Sequence, residues 1–457
     1  MIPRVREKIA PILIVLSLFV TSSGQAGTPE SEAIGVLQGI SRDLPAIWRI
    51  DDRNYVFTPE TTIRVAGSSS PGSAADARVG QLVRVSYEER DGVRRAGTIQ
   101  LMGITPASIQ DGPHLVWTGA DSATMITIVD GQVIRSAHEG LMEGVVIPTP
   151  SRTVPEIRIA GTITPPRSSW PDAVRVLAVS DLEGNRQTFL DFLRGNGVVD
   201  DSGSWTWGDG HLVLNGDIVD RGAEVTELLW SIRRLASEAI ESGGRVHYIL
   251  GNHESMIMAG DLRYIHPKYR FCTDRIGISY DRLHGPESEL GRWLRSHNSV
   301  ERVGPFLFVH AGYSPQLDRL GLDLEQINHA IRSGLGPPAW PAEAREDLRT
   351  GLIWHSQGPH WFRGYFPKHA EDWGGRPTDA EITSILDRHE VRHVVVGHTV
   401  VDDVGWIDDR SELIGIDVAW RDPSEAAGLL LDEGRLFRVD AGGSRSPLIP
   451  PTALPGG

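Results

Sequence analysis

Cysteine is almost missing from this chain. Cys272 is the only one in 457 residues, so no intrachain disulfide can form. A basic block is missing too. The formal net charge is −15, with 45 Lys and Arg against 60 Asp and Glu. That is the wrong sign for a protein that grips nucleic acid through its phosphates, so no nucleic-acid partner is expected. Long apolar runs are scarce. Ile9 to Val20 spans about a dozen residues, short of the roughly 20 needed to cross a bilayer, and no stable membrane insertion is expected. The chain also lacks a glycine-rich loop ending in Lys-Ser/Thr, an HExxH pair and a GxSxG elbow. Cys272, between Phe271 and Thr273-Asp274, has no anion-cradling loop around it and reads as an ordinary core thiol.

What is present begins with an export signal. Arg4, Arg6 and Lys8 precede the apolar run, and Gly24-Gln25-Ala26 offers a cleavage site, so residues 1–26 read as a removed signal peptide and the mature chain as periplasmic or secreted. At this length two or three domains are expected. Residues 34–104 hold short alternating strands (47–50, 55–57, 62–65, 82–85 and 95–99) with a hairpin signal at Asp91-Gly92, and read as a small all-β, barrel-like accessory domain. Residues 105–170 read as a β-rich connecting segment, 171–442 as the main α/β domain, and 443–457 as a disordered tail.

In the main domain apolar strands alternate with helical patterns, and five strands run into polar clusters. HLVLNGDIVDRG at 211–222 is the most concentrated of these, holding Asp217, Asp220 and Arg221 within six residues of a strand end. Asp181-Leu182-Glu183, Asn252-His253, His310 and His398 close the other four. Open α/β sheets place chemistry at the carboxyl ends of their strands, so these clusters meet if the strands lie side by side in a sheet. Two Asp, one Glu, one Asn and two His suit a pair of divalent cations with mixed oxygen and nitrogen ligands. A shared carboxylate, here Asp217, holds such a pair about 3.5–4 Å apart. Taken singly each residue has a plainer reading, as a turn former, an N-cap or a core histidine. Their joint placement tips the balance.

The same residues carry a family resemblance. Asp181-x-Glu183-Gly184, GDIVDRG at 216–222, GNHE at 251–254, HAG at 310–312 and GHT at 397–399 resemble the five motifs of calcineurin-like metallophosphoesterases. The DRG and GNHE forms resemble the phosphoprotein-phosphatase branch. GDLRYI at 260–265, GRWLRSHNSV at 291–300 and GPHWFRGY at 358–365 are similar to the bacterial Shewanella-like protein phosphatases.

The resemblance implies an α/β (α+β layered) fold, a metallophosphoesterase β-sandwich flanked by helices and preceded by small all-β domains. It implies a hydrolase of phosphoric ester bonds, Ser/Thr or Tyr phosphatase-like, in which a dinuclear metal centre activates water for in-line attack on phosphorus. The substrate would be a phosphoprotein, a phosphopeptide or a small phosphoester. One metal would be held by Asp181, Glu183 and Asp217, the other by Asp217, Asn252, His310 and His398. His253 would protonate the leaving group, with Asp220 orienting it; Arg221 and Arg363 would neutralise the phosphoryl oxygens. Glu254 would pair with Arg221, and Arg263 would be a further substrate contact.

Where the family has His, this chain has Glu183, which puts an oxygen in place of a nitrogen and adds negative charge. Two divalent ions are expected, Mn first, with Fe, Zn and Mg as the other candidates. Two alternatives stand beside this reading. One is a hydrolase of nucleotides or dinucleoside polyphosphates. The other is a non-catalytic phosphate-binding protein with a degenerate first metal site.

Overall fold

A computed structural model describes residues 31–40, 46–50, 53–65, 72–78, 81–103, 105–142, 144–159, 162–342 and 346–451. The expected signal peptide at 1–26 lies outside them.

The first described elements are β1 (Ser31–Ile40), β2 (Ile47–Ile50), β3 (Arg53–Val65), β4 (Leu82–Arg90) and β5 (Val93–Leu101), closed into a barrel in the order 1-2-3-5-4. Alternate residues fill it: Trp48 and Ile50 from β2, Val83 and Val85 from β4, Ile99 and Leu101 from β5. Asp91 and Gly92 both take positive φ between β4 and β5, as a two-residue hairpin turn requires. Two details differ from the sequence reading. The segments at 55–57 and 62–65 form one strand whose register to β5 slips between Phe57 and Thr62, around Pro59. The barrel also uses Ser31–Ile40, whose strand character the alternation rule did not single out.

Next come β6 (Asp111–Trp117), β7 (Ala123–Val129) and β8 (Gln132–His138), an antiparallel sheet, and a ribbon of β9 (Val146–Pro148) and β10 (Glu156–Arg158). Leu115, Met125, Ile147 and Ile157 from these strands share one core with Leu228, Leu229 and Ile232 of the main domain.

The main domain is a sandwich of two six-stranded sheets, built from β11 (Ser169–Trp170), β12 (Val176–Val179), β13 (His211–Asn215), β14 (Arg245–Ile249), β15 (Val300–Val303), β16 (Phe306–Val309), β17 (His393–Val396), β18 (Gly405–Ile407), β19 (Arg410–Gly415), β20 (Ala427–Asp432), β21 (Arg435–Asp440) and β22 (Arg445–Pro447). One sheet runs 14-13-12-20-21-22 and the other 11-15-16-17-19-18. Val176, Ala178, Val213 and Ile249 of the first sheet meet Phe306, Phe308, Val395 and Ile414 of the second in the inner layer. The alternate residues face outward under helices. Leu177, Val179, Leu212 and Leu214 lie with α1 (Arg186–Gly195) and α2 (Val225–Glu241). On the other side Leu307, Val309, Val394 and Val396 face the later helices. Both faces of the central strands β12, β13, β16 and β17 are therefore buried, which is why these segments read as unbroken apolar runs.

The first two β–α crossovers are followed by α3 (Asn252–Met258), then α4 (Pro267–Ile276), α5 (Tyr280–Leu283) and α6 (Glu289–Leu294) before the chain enters the second sheet. That sheet carries α7 (Pro315–Arg319), α8 (Leu324–Gly334) and α9 (Asp379–His389). Thr378 and Glu381 form a capping box at the start of α9. Among the described residues no helix is long and apolar enough to cross a membrane.

The structure corrects two expectations. The site-bearing strands do not lie in one sheet: β12, β13 and β14 belong to one, β16 and β17 to the other. The tail read as disordered from 443 continues the fold, since β22 pairs with β21 and the Trp406 indole donates to the Ile449 carbonyl. An open sheet edge offers unpaired backbone groups, and the tail fills them although it contains Pro447.

Candidate metal centre

The expected metal ligands and His253 follow strand ends where the two sheets meet, whereas Arg363 comes from the loop between α8 and α9. Asp181 follows β12, the 216–222 loop follows β13, and Asn252 and His253 open α3 after β14. His310 follows β16, and His398 follows β17 after a glycine. The sheets are stapled here by Asn215, fully buried, whose amide donates to the carbonyls of Val309 (3.1 Å) and Val395 (3.4 Å). The Asn215 backbone carbonyl accepts from His310 Nδ1 at 2.9 Å, which turns Nε2 of that ring into the site.

The loops are wound tightly. Asp181, Glu183, Asp217, Asp220, Arg221 and His398 all sit in the left-handed region, with φ between 47° and 69°. Side-chain residues adopt it at a cost, and clusters of it mark functional sites. Gly216 and Gly251 make the packing possible: a Cβ on Gly216 would come within 2.4 Å of His310 Nδ1, and one on Gly251 within 2.3 Å of Asp217 Oδ1. Glu254 binds the loops together. Its carboxylate accepts from the backbone N–H of Asp217 (3.1 Å), Ile218 (2.9 Å) and Gly251 (2.8 Å) and from the Tyr248 hydroxyl (2.9 Å).

At the centre, ligand atoms of Asp217, His310 and His398 all lie within 4.8 Å of one another. His310 Nε2 is 3.2 Å from Asp217 Oδ2 and 3.0 Å from Asn252 Oδ1. Asp181 accepts from the His398 backbone N–H at 3.1 Å. Beside this cluster His253 Nδ1 is 2.6 Å from Asp220 Oδ2, leaving Nε2 3.8 Å from Asp217 Oδ2 and 3.3 Å from Arg221 Nη2. Arg221 pairs with Glu183 and lies over the Tyr264 ring. Arg363 Nη1 donates to Thr399 Oγ1 at 3.0 Å. A cavity of about 420 Å³ opens over these groups, lined by Asp181, Asp217, Asn252, His253, Arg221, Arg363, His398 and Asp417 and rimmed by Tyr264, Trp340 and Trp361.

The electrostatics are those of crowded, dry carboxylates. Burial pushes Asp181 and Asp220 each up to about 6. Burial also acts on Asp217, but His310 and His253 outweigh it and hold its carboxyl well below the usual range. Burial pulls His310 down while Asp217 lifts it, to about 10. His253 is raised against its own burial by Asp217 and Asp220, and His398 is held low by burial. Asp417 is pushed up by burial and then by Asp181.

Asp181, Asp217, Arg221, Asn252, His253, His398 and Arg363 thus line one cavity, while His310 joins it through its contacts with Asp217 and Asn252, and Asp220 through His253. Arg263 lines the same cavity, its guanidinium paired with Asp261. The Glu183 side chain turns to Arg221. Glu254 does not pair with Arg221 as expected; four donors already saturate it. Asp417, Asn215 and the aromatic rim escaped the sequence reading. Asp417 had a signal, because it too follows an apolar strand, Leu413 to Ile416.

The donor set fits a divalent cation. Two neutral-capable imidazoles and a shared carboxylate converge in a buried pocket, and His398 Nε2 is a buried nitrogen with no hydrogen-bond partner.

A two-sheet sandwich with such a centre at its seam defines a metallophosphoesterase, and residues 174–402 match the family of calcineurin-like phosphoesterases. The chain belongs to that family. An uncharacterized protein of Schizosaccharomyces pombe is 30% identical over 244 residues, 49% of this chain and 66% of that protein. Shewanella-like protein phosphatase 2 of Arabidopsis thaliana is 36% identical over 94 residues, 21% of this chain and 24% of its own length. The chain therefore spans less than two thirds of either curated relative. The solved cold-active protein-tyrosine phosphatase of a psychrophile Shewanella sp. superposes with a TM-score of 0.67 at 31% identity, covering 75% of this chain and all of that one.

Proposed function

We propose that this chain is a metal-dependent phosphomonoesterase of the protein-phosphatase type. The observation that carries the reading is that Asp217, His398, His253 and two arginines line one cavity, with His310 clustered with Asp217 and His398, and Asp220 holding His253. Asp181, Asp217, Asn252, His310 and His398 would hold divalent metal, which supplies an activated water at neutral pH and draws charge from the phosphoryl oxygens. Arg221 and Arg363 bind and orient the phosphoryl group, since a guanidinium matches it in a fork. His253, held by Asp220 with Nε2 towards the cavity, delivers a proton to the departing oxygen. Oxygen-rich donors favour Mn²⁺, with Mg²⁺, Fe and Zn²⁺ next. The rim of Tyr264, Trp340 and Trp361 suits an aromatic leaving group, which supports phosphotyrosine over phosphoserine; the name of the Shewanella relative agrees. We further propose that the chain is exported through residues 1–26.

A substrate panel tests this. Metal-reconstituted protein should hydrolyse an aryl phosphate and phosphotyrosine peptides faster than phosphoserine peptides or nucleotides, lose activity to chelator, and recover best with Mn²⁺. His253→Ala should keep its metal while turnover falls on the order of 10²–10⁴-fold. Full activity after exhaustive metal removal would sink the proposal.

A further inference from the structure

A cavity of about 540 Å³, larger than the one at the metal centre and sharing no lining residue with it, opens between β10 and α2. One wall is a face of α2 that presents Trp230, Arg233, Ser237 and Glu241. The other is β10, with Ile159 just beyond its end. We propose that an extended peptide segment of a partner protein binds in this cleft. It would add to the β9–β10 ribbon as a third strand, carrying an acidic and a basic side chain on either side of an apolar one.

The strand register leaves open the backbone groups that such a segment needs. Ile157 pairs with Ile147, the Thr149 N–H donates to the Pro155 carbonyl (2.7 Å), and the Ile159 N–H donates to the Val145 carbonyl (2.8 Å). Residues 155, 157 and 159 are thus the ones that bond to β9. In an antiparallel ladder the intervening residues turn their N–H and C=O the other way. Those of Glu156 and Arg158 therefore point to the free edge of β10, where among the described residues they have no partner. An edge of this kind is a template for one more strand. The side chains define what that strand carries. Ile157 turns inward and shares a core with Trp230, while Glu156 and Arg158 are exposed and form no ion pair among the described residues. Cross-strand pairing puts an acid opposite Arg158, a base opposite Glu156, and an apolar residue opposite Ile157. Arg233 adds a built polar contact on the helix side. It is only 8% exposed; Nη2 donates to Glu289, and Nη1 is buried with no partner. A buried guanidinium N–H calls for an acceptor, and the carbonyls of an added segment supply one. Glu156 and Glu241 stand in the same cleft as Arg158 and Arg233, a balance that fits a segment of mixed charge and turns away a polyanion.

Calorimetric titration of the full chain with the synthetic peptides Thr-Val-Asp-Val-Lys-Val-Thr and Thr-Val-Lys-Val-Asp-Val-Thr tests this, the two orders serving the two strand directions. One of them should bind saturably, about 5-fold tighter than its Asn/Gln counterpart, as two cross-strand charge pairs require. Methylating alternate backbone nitrogens of that peptide should weaken binding on the order of 10-fold in one phase of the alternation and much less in the other, because only every second N–H of a strand meets its neighbour. Arg158→Pro removes an edge N–H and none of the bonds to β9, and should weaken binding to a similar degree. Ser237→Trp fills the cleft from an exposed position on α2; it should abolish binding while melting temperature and Mn²⁺ uptake stay at wild-type values. Failure of both parent peptides to bind, or equal effects of the two methylation phases, overturns the proposal. So does a concentration-dependent dimer of the wild type that Ser237→Trp abolishes, since the cleft would then belong to a second copy. If Arg158→Pro does not fold, the methylated peptides and Ser237→Trp decide.

Discussion

At the scale of single residues, the site is legible where a polar side chain directly follows an apolar strand. Asp181, Asp217, His310 and His398 all obey that rule, and Asp417 obeys it too. What strand-end logic cannot supply is the direction in which a side chain turns. Glu183 and Glu254 show this. Each sits among ligands in the sequence, yet one reaches out to Arg221 and the other turns back beneath the loops. Glu254 accepts four hydrogen bonds, three of them from backbone N–H groups that nothing else could satisfy. Glu254→Gln keeps the shape but replaces one acceptor oxygen with a donor. At least one buried donor is then stranded, at about 1–3 kcal/mol. Thermal unfolding should show that loss, and metal content should fall with it because Asp217 and Asn252 share the affected turns. A variant with unchanged melting and full metal would contradict this role.

At the scale of elements, apolar runs located most strands of the sandwich, because both faces of its central strands are covered, and helical spacing located α1 and α2 but not α3 to α9. The pattern failed where packing is one-sided or chain-distant. Ser31–Ile40 belongs to a closed barrel whose alternation is diluted by glycine, and Arg445–Pro447 is ordered only by its neighbour β21. Nor could the sequence show that β6–β10 are part of the catalytic body. Trp230 Nε1 donates to the Pro113 carbonyl (2.8 Å), Thr226 Oγ1 to Asp111 (2.9 Å), and Trp117 Nε1 to Glu289 (2.8 Å), which also takes the buried Arg233. Trimming the chain to 171–451 would expose the apolar side of α2 and strand these partners, so that protein should aggregate. A chain trimmed to 105–451 loses Leu82 and Met102 from the smaller core they share with Ile126, Ile128, Phe271 and Leu283, so it should melt lower yet keep its metal and activity. Size-exclusion profiles and a phosphatase assay on the two trimmed proteins check this; a well-behaved, active 171–451 would refute the shared core.

At the scale of the whole molecule, buried histidines outside the site set how stability follows pH. Burial pulls His284 and His389 to about 4 and His297 to about 3 in the folded chain, against an ordinary 6.5. A folded pKa below the unfolded one means that the unfolded chain takes up protons first. The contribution is complete above about 6.5 and is lost as pH falls towards 4. Melting temperature of the metal-free protein should therefore drop steeply from pH 7 to 4.5; a flat profile would contradict the burial of these rings as neutral groups. The seam stapled by Asn215 has one more consequence. Asp181, Asp217 and Asn252 come from one sheet, His310 and His398 from the other. An ion gripped by both sets would tie residue 181 to residue 398, closing a loop of more than two hundred residues, and long loops lose the most freedom when fastened. In a chain whose lone cysteine can form no internal bridge, such an ion would be a clasp added to the Asn215 staple, and taking it away should loosen the two halves from the cavity inward.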